Sequence, residues 1–334
     1  MDSVTHIVLG ACIGEAFVGK KIRHRALLLG ALAQSVPDID IVAGSWLSPA
    51  GDLLAHRGIT HSLLFALCMT PLLAWIADKW RRPHDVAFHT WLWFFGTEIL
   101  VHLFLDTGNA YGTGLLEPFD HHRFSYNNLF VADPFLTLVP AVVFIILILH
   151  KGHRARMKWA ILAIAYCSIY WAGSLVNKAR MEHAVALATR AQHISYDRHF
   201  TTPTPFNNLL WYVVLQDSTG YYVGYHSVMA KSKDISFVHF PQQDSLLDTL
   251  RGREDVQQLI RFSQGYYTVE NRHDTLLFHD LRFGQVAGWA DNKAPFAFYY
   301  YLNADDNSLL IQRGRFAKWN SHTIGVLWRK MMGG

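Results

Sequence analysis

The sequence predicts an α-helical membrane bundle followed by a soluble α+β domain. Hydrophobic residues make up 51% of the 334-residue chain and charged residues only 17%, below the roughly 25% charged residues of typical soluble proteins. Long apolar segments lie in the first half, whereas short strand-like segments follow from about residue 177. We therefore predict a helical membrane domain over residues 1–176 and an extracytoplasmic α+β domain over residues 177–334.

About six apolar segments are predicted for the membrane domain, and the first two are short. They cover residues 4–18, 26–36, 63–77, 86–105, 134–149 and 159–176. The first two fall short of the roughly 20 residues that cross the hydrocarbon, so we expect a hairpin packed against longer helices. Gly10 and Gly14 have the spacing that lets another helix approach closely. No basic leader precedes this segment, so we expect it to be retained.

Three clusters of basic residues fall on alternate loops of this helical region. They lie within residues 20–25, 79–82 and 151–158. Because basic loops stay in the cytoplasm, we predict a multi-pass integral membrane protein with both termini on the opposite, periplasmic side. The net charge of +4 is small and the basic residues lie in short clusters, so nucleic acid is not an expected partner.

The second half reads as strands separated by turns, with one helical stretch. Strands are predicted at residues 209–216, 221–229, 235–240, 266–269, 275–283 and 296–302. Residues 244–262 are predicted to be helical, and a helix over residues 181–192 is predicted to link the two domains. The polar residues of this half show no catalytic spacing.

A polar run at residues 56–62 leads directly into the third apolar segment. It contains two imidazoles and a guanidinium, contributed by His56, Arg57 and His61. The histidines are too far apart to share one helical face, so either a turn at Gly58 joins them or His61 alone binds metal. In the second case, His56 and Arg57 contact the substrate. The alternative without metal is an interfacial belt of Arg and His side chains.

Carboxylates and imidazoles at other helix ends supply further candidate ligands. Asp38 and Asp40 follow Pro37, and two carboxylates so close together repel unless a cation lies between them. His102 and Asp106 share one helical face, and Glu98 one turn earlier is predicted to accept the other ring N–H of His102. Capping and loop roles are the alternatives for these residues.

We predict that these side chains bind one or two divalent metal ions together. Imidazole with carboxylate suits Zn²⁺, Mn²⁺ or Fe²⁺, and the predicted topology places all the candidates at one membrane surface. Residues 120–123 and Asp133 could cover the site, although an exposed loop is the alternative for the two histidines there. The predicted ligands are His6, Asp38, Asp40, His56, His61, His102 and Asp106.

Several stretches resemble the membrane-bound metal-dependent hydrolases of the bacterial inner membrane, the YdjM/YbcI-like family. They are residues 2–6 with Gly10, residues 37–40, residues 56–62, His102 and Asp106, Tyr111 and Gly112, and residues 133–134. The resemblance covers the first half of the chain in the family's order, and residues 203–207 are more weakly similar. The pair His102 and Asp106 is also loosely similar to zinc-dependent phospholipase C. The resemblance implies an inner-membrane location and a metal, with zinc as the first choice.

The expected function is metal-dependent hydrolysis of a phosphoester or lipid-linked substrate at the periplasmic face. Asp38 or Asp40 would act as base, and Arg57 would neutralise the substrate phosphate. One alternative is an ion-coupled transporter that uses Glu15, His89 and Glu98 as an intramembrane relay. Another is a non-enzymatic membrane sensor in which the metal is structural.

Overall fold

The computed structural model describes residues 1–80, 86–150, 152–232, 234–272, 275–302, 310–311, 316 and 318–334. Arg81, Arg82 and Lys151 of the predicted basic clusters lie outside the described residues. The chain divides into two compact units. The first comprises residues 1–42 and 55–174, and the second comprises residues 43–54 and 175–334.

Seven α-helices and two 3-10 helices are described up to residue 191. The α-helices are α1 (Ser3–Ile22), α2 (Arg25–Gln34), α3 (Pro49–Ala55), α4 (Leu63–Trp80), α5 (Phe88–Asp106), α6 (Pro134–Leu149) and α7 (His153–Ala191). The 3-10 helices are Pro37–Ser45 and Ile59–His61. Helix α7 runs unbroken for 39 residues, so the predicted apolar segment over residues 159–176 and the predicted linking helix are parts of one helix. Lys178, Ala179, Arg180 and Glu182, which join the two parts, favour helix.

Three of these helices, α4, α5 and α7, are long and apolar enough to cross a membrane. The count rises to four if α2 and the 3-10 helix Pro37–Ser45, which meet at 57°, form one broken span or re-entrant loop. Helix α6 is apolar but has only 16 residues. A helical membrane region is therefore supported, whereas the predicted count of six segments is not confirmed.

Small residues bring α1 and α2 into close contact, as the Gly10 and Gly14 spacing predicts. A methyl group added at Gly10 would lie 2.6 Å from the carbonyl oxygen of Gly30, and one at Gly14 would lie 3.0 Å from Gly30 Cα. No larger side chain fits between these backbones. Because of this contact, the end of α2 lies against the first half of α1, and Gly10 faces Cβ of Gln34.

Opposite ends of α1 lie in different surroundings within the first unit. Near its start, His6 reaches Asp106 at the end of α5. Towards its end, Val18 and Ile22 pack with Trp91 near the start of α5. Helices α1 and α5 are thus antiparallel, and the start of α1 defines the end of the bundle that carries the candidate ligands.

The second unit contains two antiparallel sheets of four strands each, with strands paired in chain order. The strands are β1 (Arg198–Pro203), β2 (Leu210–Gln216), β3 (Gly220–Ser227), β4 (Phe237–Pro241), β5 (Tyr267–Arg272), β6 (Thr275–Asp280), β7 (Tyr299–Tyr301) and β8 (Leu310–Ile311). The last part of α7 packs on the first sheet through Met181 and Val185, which contact the cluster around Trp211. The predicted α+β character of this half is confirmed.

Some elements of the second unit differ from the prediction. The strands β1 and β8 and the final helix α9 (Ser321–Met331) were not predicted. The predicted helix over residues 244–262 is interrupted: a 3-10 helix covers Asp244–Leu247, and α8 covers Glu254–Phe262. Gly252 lies in the turn between them, where glycine disfavours a continuous helix.

Candidate metal centre

Four side chains from three separate stretches converge at one end of the first unit. They are Asp38, His61, His102 and Asp106, and the ligand atoms that they offer all lie within 4.8 Å of one another. Asp38 follows Pro37 at the start of a 3-10 helix, His61 ends the short 3-10 helix, and the other two lie one turn apart at the end of α5. Three of the four are buried, whereas the Asp38 side chain is 30% exposed.

Hydrogen bonds on the far side of each imidazole determine which nitrogen faces this cluster. Nδ1 of His102 lies 2.6 Å from the backbone carbonyl of Gln34, which can only accept a hydrogen bond. Nδ1 of His61 lies 3.1 Å from the Thr60 hydroxyl, which donates its own proton to Asp40 Oδ2 at 3.1 Å and therefore accepts from the imidazole. The same Asp40 oxygen is 3.3 Å from Nδ1 of His61. We therefore assign the ring proton to Nδ1 in both histidines, which leaves both Nε2 lone pairs directed at the cluster. The prediction that Glu98 accepts the His102 N–H is wrong, because Gln34 does so.

The resulting arrangement suits a cation. The Nε2 atoms of His61 and His102 are 3.1 Å apart, and they lie 3.3 and 3.5 Å from Asp106 Oδ2. Each also lies 3.5 Å from Asp38 Oδ1. Lone pairs and carboxylates so close repel one another without a positive charge between them. Ligand atoms about 2.0–2.1 Å from a tetrahedral ion are about 3.3 Å apart, so these four residues fit a metal ion.

His6 lies beside the cluster. Its Nε2 is 3.3 Å from Asp106 Oδ1, and its ring stacks on His102 with the centroids 3.9 Å apart. The Met1 backbone nitrogen contacts the same Asp106 oxygen. Nδ1 of His6 is buried without a hydrogen-bond partner in the described part of the chain. The structure thus brings His6 to the site but outside the group of four.

Asp40 and His56 lie behind His61. Oδ1 of Asp40 is 3.2 Å from Nδ1 of His56. Oδ2 of Asp40 accepts from the backbone N–H of Arg57 at 2.8 Å and from the Thr60 hydroxyl at 3.1 Å. Asp40 is therefore engaged by donors from the polar run and orients His61. The ligand roles predicted for Asp40 and His56 remain predictions.

Arg57 is a buried cation next to the cluster. Its Nε lies 3.1 Å from Asp106 Oδ2, its Nη1 donates to Asn109 Oδ1 at 2.8 Å, and its guanidinium lies over the Tyr111 ring. Burial lowers the pKa of Arg57 to about 10, so the side chain stays charged at neutral pH. Its φ of 59° is left-handed, and the turn between His56 and His61 includes both Arg57 and Gly58.

Sequence reasoning missed Gln34, Thr60 and Asn109, each of which holds a cluster residue or its neighbour. Gln34 could have been noticed as a polar side chain near the end of an apolar segment. The side-chain amide of Gln34 is assigned so that both its oxygen and its nitrogen have suitable hydrogen-bond partners. In that orientation, Nε2 of Gln34 donates to the Glu98 backbone oxygen at 2.7 Å and to Oε2 of Glu98 at 2.6 Å. The end of α2 is thereby joined to α5 next to His102.

Other residues singled out in the sequence have separate partners. Glu15 contacts Arg156 and lies 3.4 Å from His153 Nδ1, while His89 is exposed. Among the described residues, no hydrogen bond or ion pair joins Glu15, His89 and Glu98. Asp133 caps α6 by accepting from the Phe135 N–H at 2.9 Å. His121 and His122 are exposed.

Comparison with known proteins places these residues within a family. A model of the YdjM inner membrane protein family matches residues 1–181. The chain is 33% identical over 123 residues to inner membrane protein YbcI of Escherichia coli (strain K12), a match covering 36% of this chain and 69% of that protein. It is 29% identical over 143 residues to uncharacterized protein YfhP of Bacillus subtilis (strain 168), covering 41% of this chain and 43% of that protein.

No solved structure matches the chain significantly. The match to YfhP spans less than half of that protein. The family match, by contrast, includes every residue of the cluster and extends over more than half of the 334 residues. The chain therefore belongs to the YdjM inner membrane protein family.

Proposed function

We propose that the chain is a membrane-embedded, metal-dependent hydrolase of phosphoesters whose active site lies at the periplasmic face. The observation that carries the proposal is the convergence of Asp38, His61, His102 and Asp106. Both imidazole lone pairs are directed into a group of carboxylates, and Asp38 remains open to solvent. Ionisable groups that converge within a membrane bundle favour function over structure.

Each residue has a distinct role in this proposal. His61, His102 and Asp106 would hold a divalent ion and leave a position for water beside Asp38, and the ion would supply Lewis-acid activation of water and of a phosphoryl oxygen. Zinc suits the ligand set best, with manganese or iron as alternatives, and one or two ions would bind. Gln34 and Asp40 orient the two histidines, and Arg57 fixes Asp106 while adding positive charge near the substrate.

Asp38 is the better of the two predicted bases. Asp40 already accepts hydrogen bonds from Arg57 and Thr60 and pairs with His56, so its oxygens are engaged. The Asp38 side chain is partly exposed, and solvent reaches the cluster beside it. A carboxylate in that position can receive a proton from attacking water.

One observation favours a second candidate function, a membrane sensor with a structural metal. Asp38 Oδ1 lies 3.5 Å from both Nε2 atoms, and with Asp38 as a fourth ligand the tetrahedral shell would be complete and leave no position for water, as in structural zinc. The two functions differ in what metal removal does. In a hydrolase, chelation abolishes turnover. In a sensor, it lowers the melting temperature of a protein that hydrolyses no phosphoester even when loaded.

The test combines metal analysis with turnover on the full-length protein in detergent. We expect bound metal by elemental analysis, and hydrolysis of bis(p-nitrophenyl) phosphate that stops with chelator and returns with zinc or manganese. His61→Ala and His102→Ala should lose the metal. His121→Ala, in the exposed loop, should retain it and serves as the control. Unchanged metal content in both cluster variants would refute the assignment.

A further inference from the structure

The route to the metal cluster passes Asp38. His61, His102 and Asp106 are at most 1% exposed, whereas the Asp38 side chain is 30% exposed. Asp38 lies near the start of the 3-10 helix Pro37–Ser45. A substrate that approaches the cluster through this exposed side chain would contact the outer surface of the helix.

That surface is apolar. Ile39, Ile41 and Val42 are 62%, 78% and 51% exposed, and they flank the two carboxylates of the same helix. A second segment adds Ile59 and Leu63, which are 56% and 47% exposed. Contiguous exposed apolar side chains mark a ligand-binding groove or a contact with protein or membrane. Beside helices that are long and apolar enough to cross a membrane, they favour contact with hydrocarbon.

The two segments are held together at the cluster. The Thr60 hydroxyl, next to Ile59, donates to Asp40 at 3.1 Å, so Ile59 lies beside the helix that carries Ile39 and Ile41. We call these exposed side chains, Ile39, Ile41, Val42, Ile59 and Leu63, the apolar rim.

The apolar rim is continuous with helices that face lipid. Leu63 begins α4, a candidate membrane span, and Leu67 one turn later is 72% exposed. Helix α2 and the 3-10 helix Pro37–Ser45 together are apolar enough for a broken span or re-entrant loop. Such breaks are tolerated at membrane depth where they line a cavity or binding site.

We infer that the substrate is an amphipathic phosphoester with a long hydrocarbon chain, which enters from the bilayer. Its polar group passes Asp38 to the cluster while its chain lies along the apolar rim. The reacting group in this inference rests on the proposed function. The occupant is a lipid-like molecule rather than a water-soluble phosphoester, because a soluble substrate gains nothing from Ile39 and Ile41.

Binding of non-hydrolysable phosphonates tests the inference without requiring turnover. Dodecylphosphonate and ethylphosphonate are titrated by calorimetry into the metal-loaded, full-length protein in maltoside detergent. We expect the dodecyl compound to bind at least about tenfold more tightly, because each buried methylene strengthens binding. The double variant Ile39→Ser/Ile41→Ser should lose most of this difference and leave the ethylphosphonate Kd unchanged.

Leu149→Ser is the matched control. Leu149 is 72% exposed, like the rim residues, but it ends α6, whose first turn contacts the start of α1 through Thr137 and Thr5. It therefore lies about 22 Å along α6 from the end that carries the cluster. This variant should bind both phosphonates as the wild type does. Wild-type metal content in all variants establishes that they are folded.

The outcomes separate this inference from the proposed function. Equal affinity for the two phosphonates, or the same loss in Leu149→Ser as in the double variant, overturns the apolar rim as a substrate surface. If the protein hydrolyses short phosphoesters but shows no such preference, the proposed hydrolase function stands and the inference of an amphipathic substrate is refuted. If it prefers dodecylphosphonate but hydrolyses no phosphoester, the inference of an amphipathic ligand stands and the proposed enzymatic function is refuted.

Discussion

Two oxygen atoms outside the metal cluster determine the state of its imidazoles. The backbone carbonyl of Gln34 fixes His102, and the Thr60 hydroxyl, which Asp40 orients, fixes His61. The cluster residues themselves could be predicted, because imidazoles and carboxylates at membrane helix ends are rare without a function. The role of the Gln34 carbonyl could not be predicted, because every residue has a backbone carbonyl and only the fold determines which one meets the imidazole ring.

The first prediction concerns Asp40. Asp40→Asn keeps the shape of the side chain but removes the charge that orients His61, so we expect metal affinity to fall about 10–100-fold. Chelator competition on the purified protein measures this affinity. Asp120→Asn, an exposed loop variant, is the control and should bind metal normally. Wild-type affinity in Asp40→Asn would show that Asp40 does not support the site.

The second prediction concerns the buried pair of Glu15 and Arg156, which joins α1 to α7. Glu15→Gln leaves the buried Arg156 guanidinium uncompensated, so we expect destabilisation of about 3–5 kcal/mol. Adding Arg156→Leu should recover much of that loss, because no buried charge then remains. Denaturant unfolding in detergent measures both effects. If Glu15→Gln instead unfolds like the wild type but abolishes ion-coupled flux in proteoliposomes, the structural role of Glu15 is refuted and the transporter alternative is supported.

At the scale of elements, close helix packing connects the α1–α2 pair to the site. Gly10, Gly14 and Gly30 allow the backbones to touch, and the same contact positions Gln34 behind His102. The two glycines of α1 were predictable from their spacing. Their partner Gly30 was not, because a single glycine in an apolar segment does not reveal which helix it faces.

The third prediction follows from this packing. A methyl group at Gly14 would overlap the backbone of α2, so Gly14→Ala should lower the melting temperature and weaken metal binding together. In Gly173→Ala on α7, the added carbon meets no atom within 4 Å beyond the adjoining residues of its own helix, and the variant should be neutral or stabilising because alanine favours helix. Thermal unfolding with parallel metal titration distinguishes them. Equal behaviour of the two variants would contradict a role for α1–α2 packing.

The elements that differ from expectation do so for local physical reasons. Strand β1 contains His199, Thr201 and Pro203 in a largely polar sequence, so its sequence lacks an alternating apolar pattern. It forms because it pairs with the apolar strand β2 over its full length. The predicted apolar segment over residues 159–176 is only part of α7, because the helix continues through the more polar residues that follow, up to Ala191.

At the scale of the whole molecule, basic residues and the metal cluster lie at opposite ends of α1. His6 and the metal cluster lie at its start, whereas Lys20 and Lys21 occupy its last turn, about 21 Å further along the helix axis. Lys79 lies in the last turn of α4, and α4 begins directly after the cluster residue His61. From these positions, the positive-inside rule predicts that the cluster faces the periplasm.

The last prediction tests this orientation with single cysteines labelled by a membrane-impermeant maleimide. In a Cys68→Ser background, which removes the exposed native thiol, we expect Asp120→Cys and Ser218→Cys to be labelled in intact spheroplasts. Arg154→Cys should react only after permeabilisation, since it belongs to a basic cluster that the rule assigns to the cytoplasm. All three positions are exposed, so differences in labelling report sidedness rather than burial. The reverse pattern would place the metal cluster at the cytoplasmic face, and any amphipathic substrate would then come from the inner leaflet.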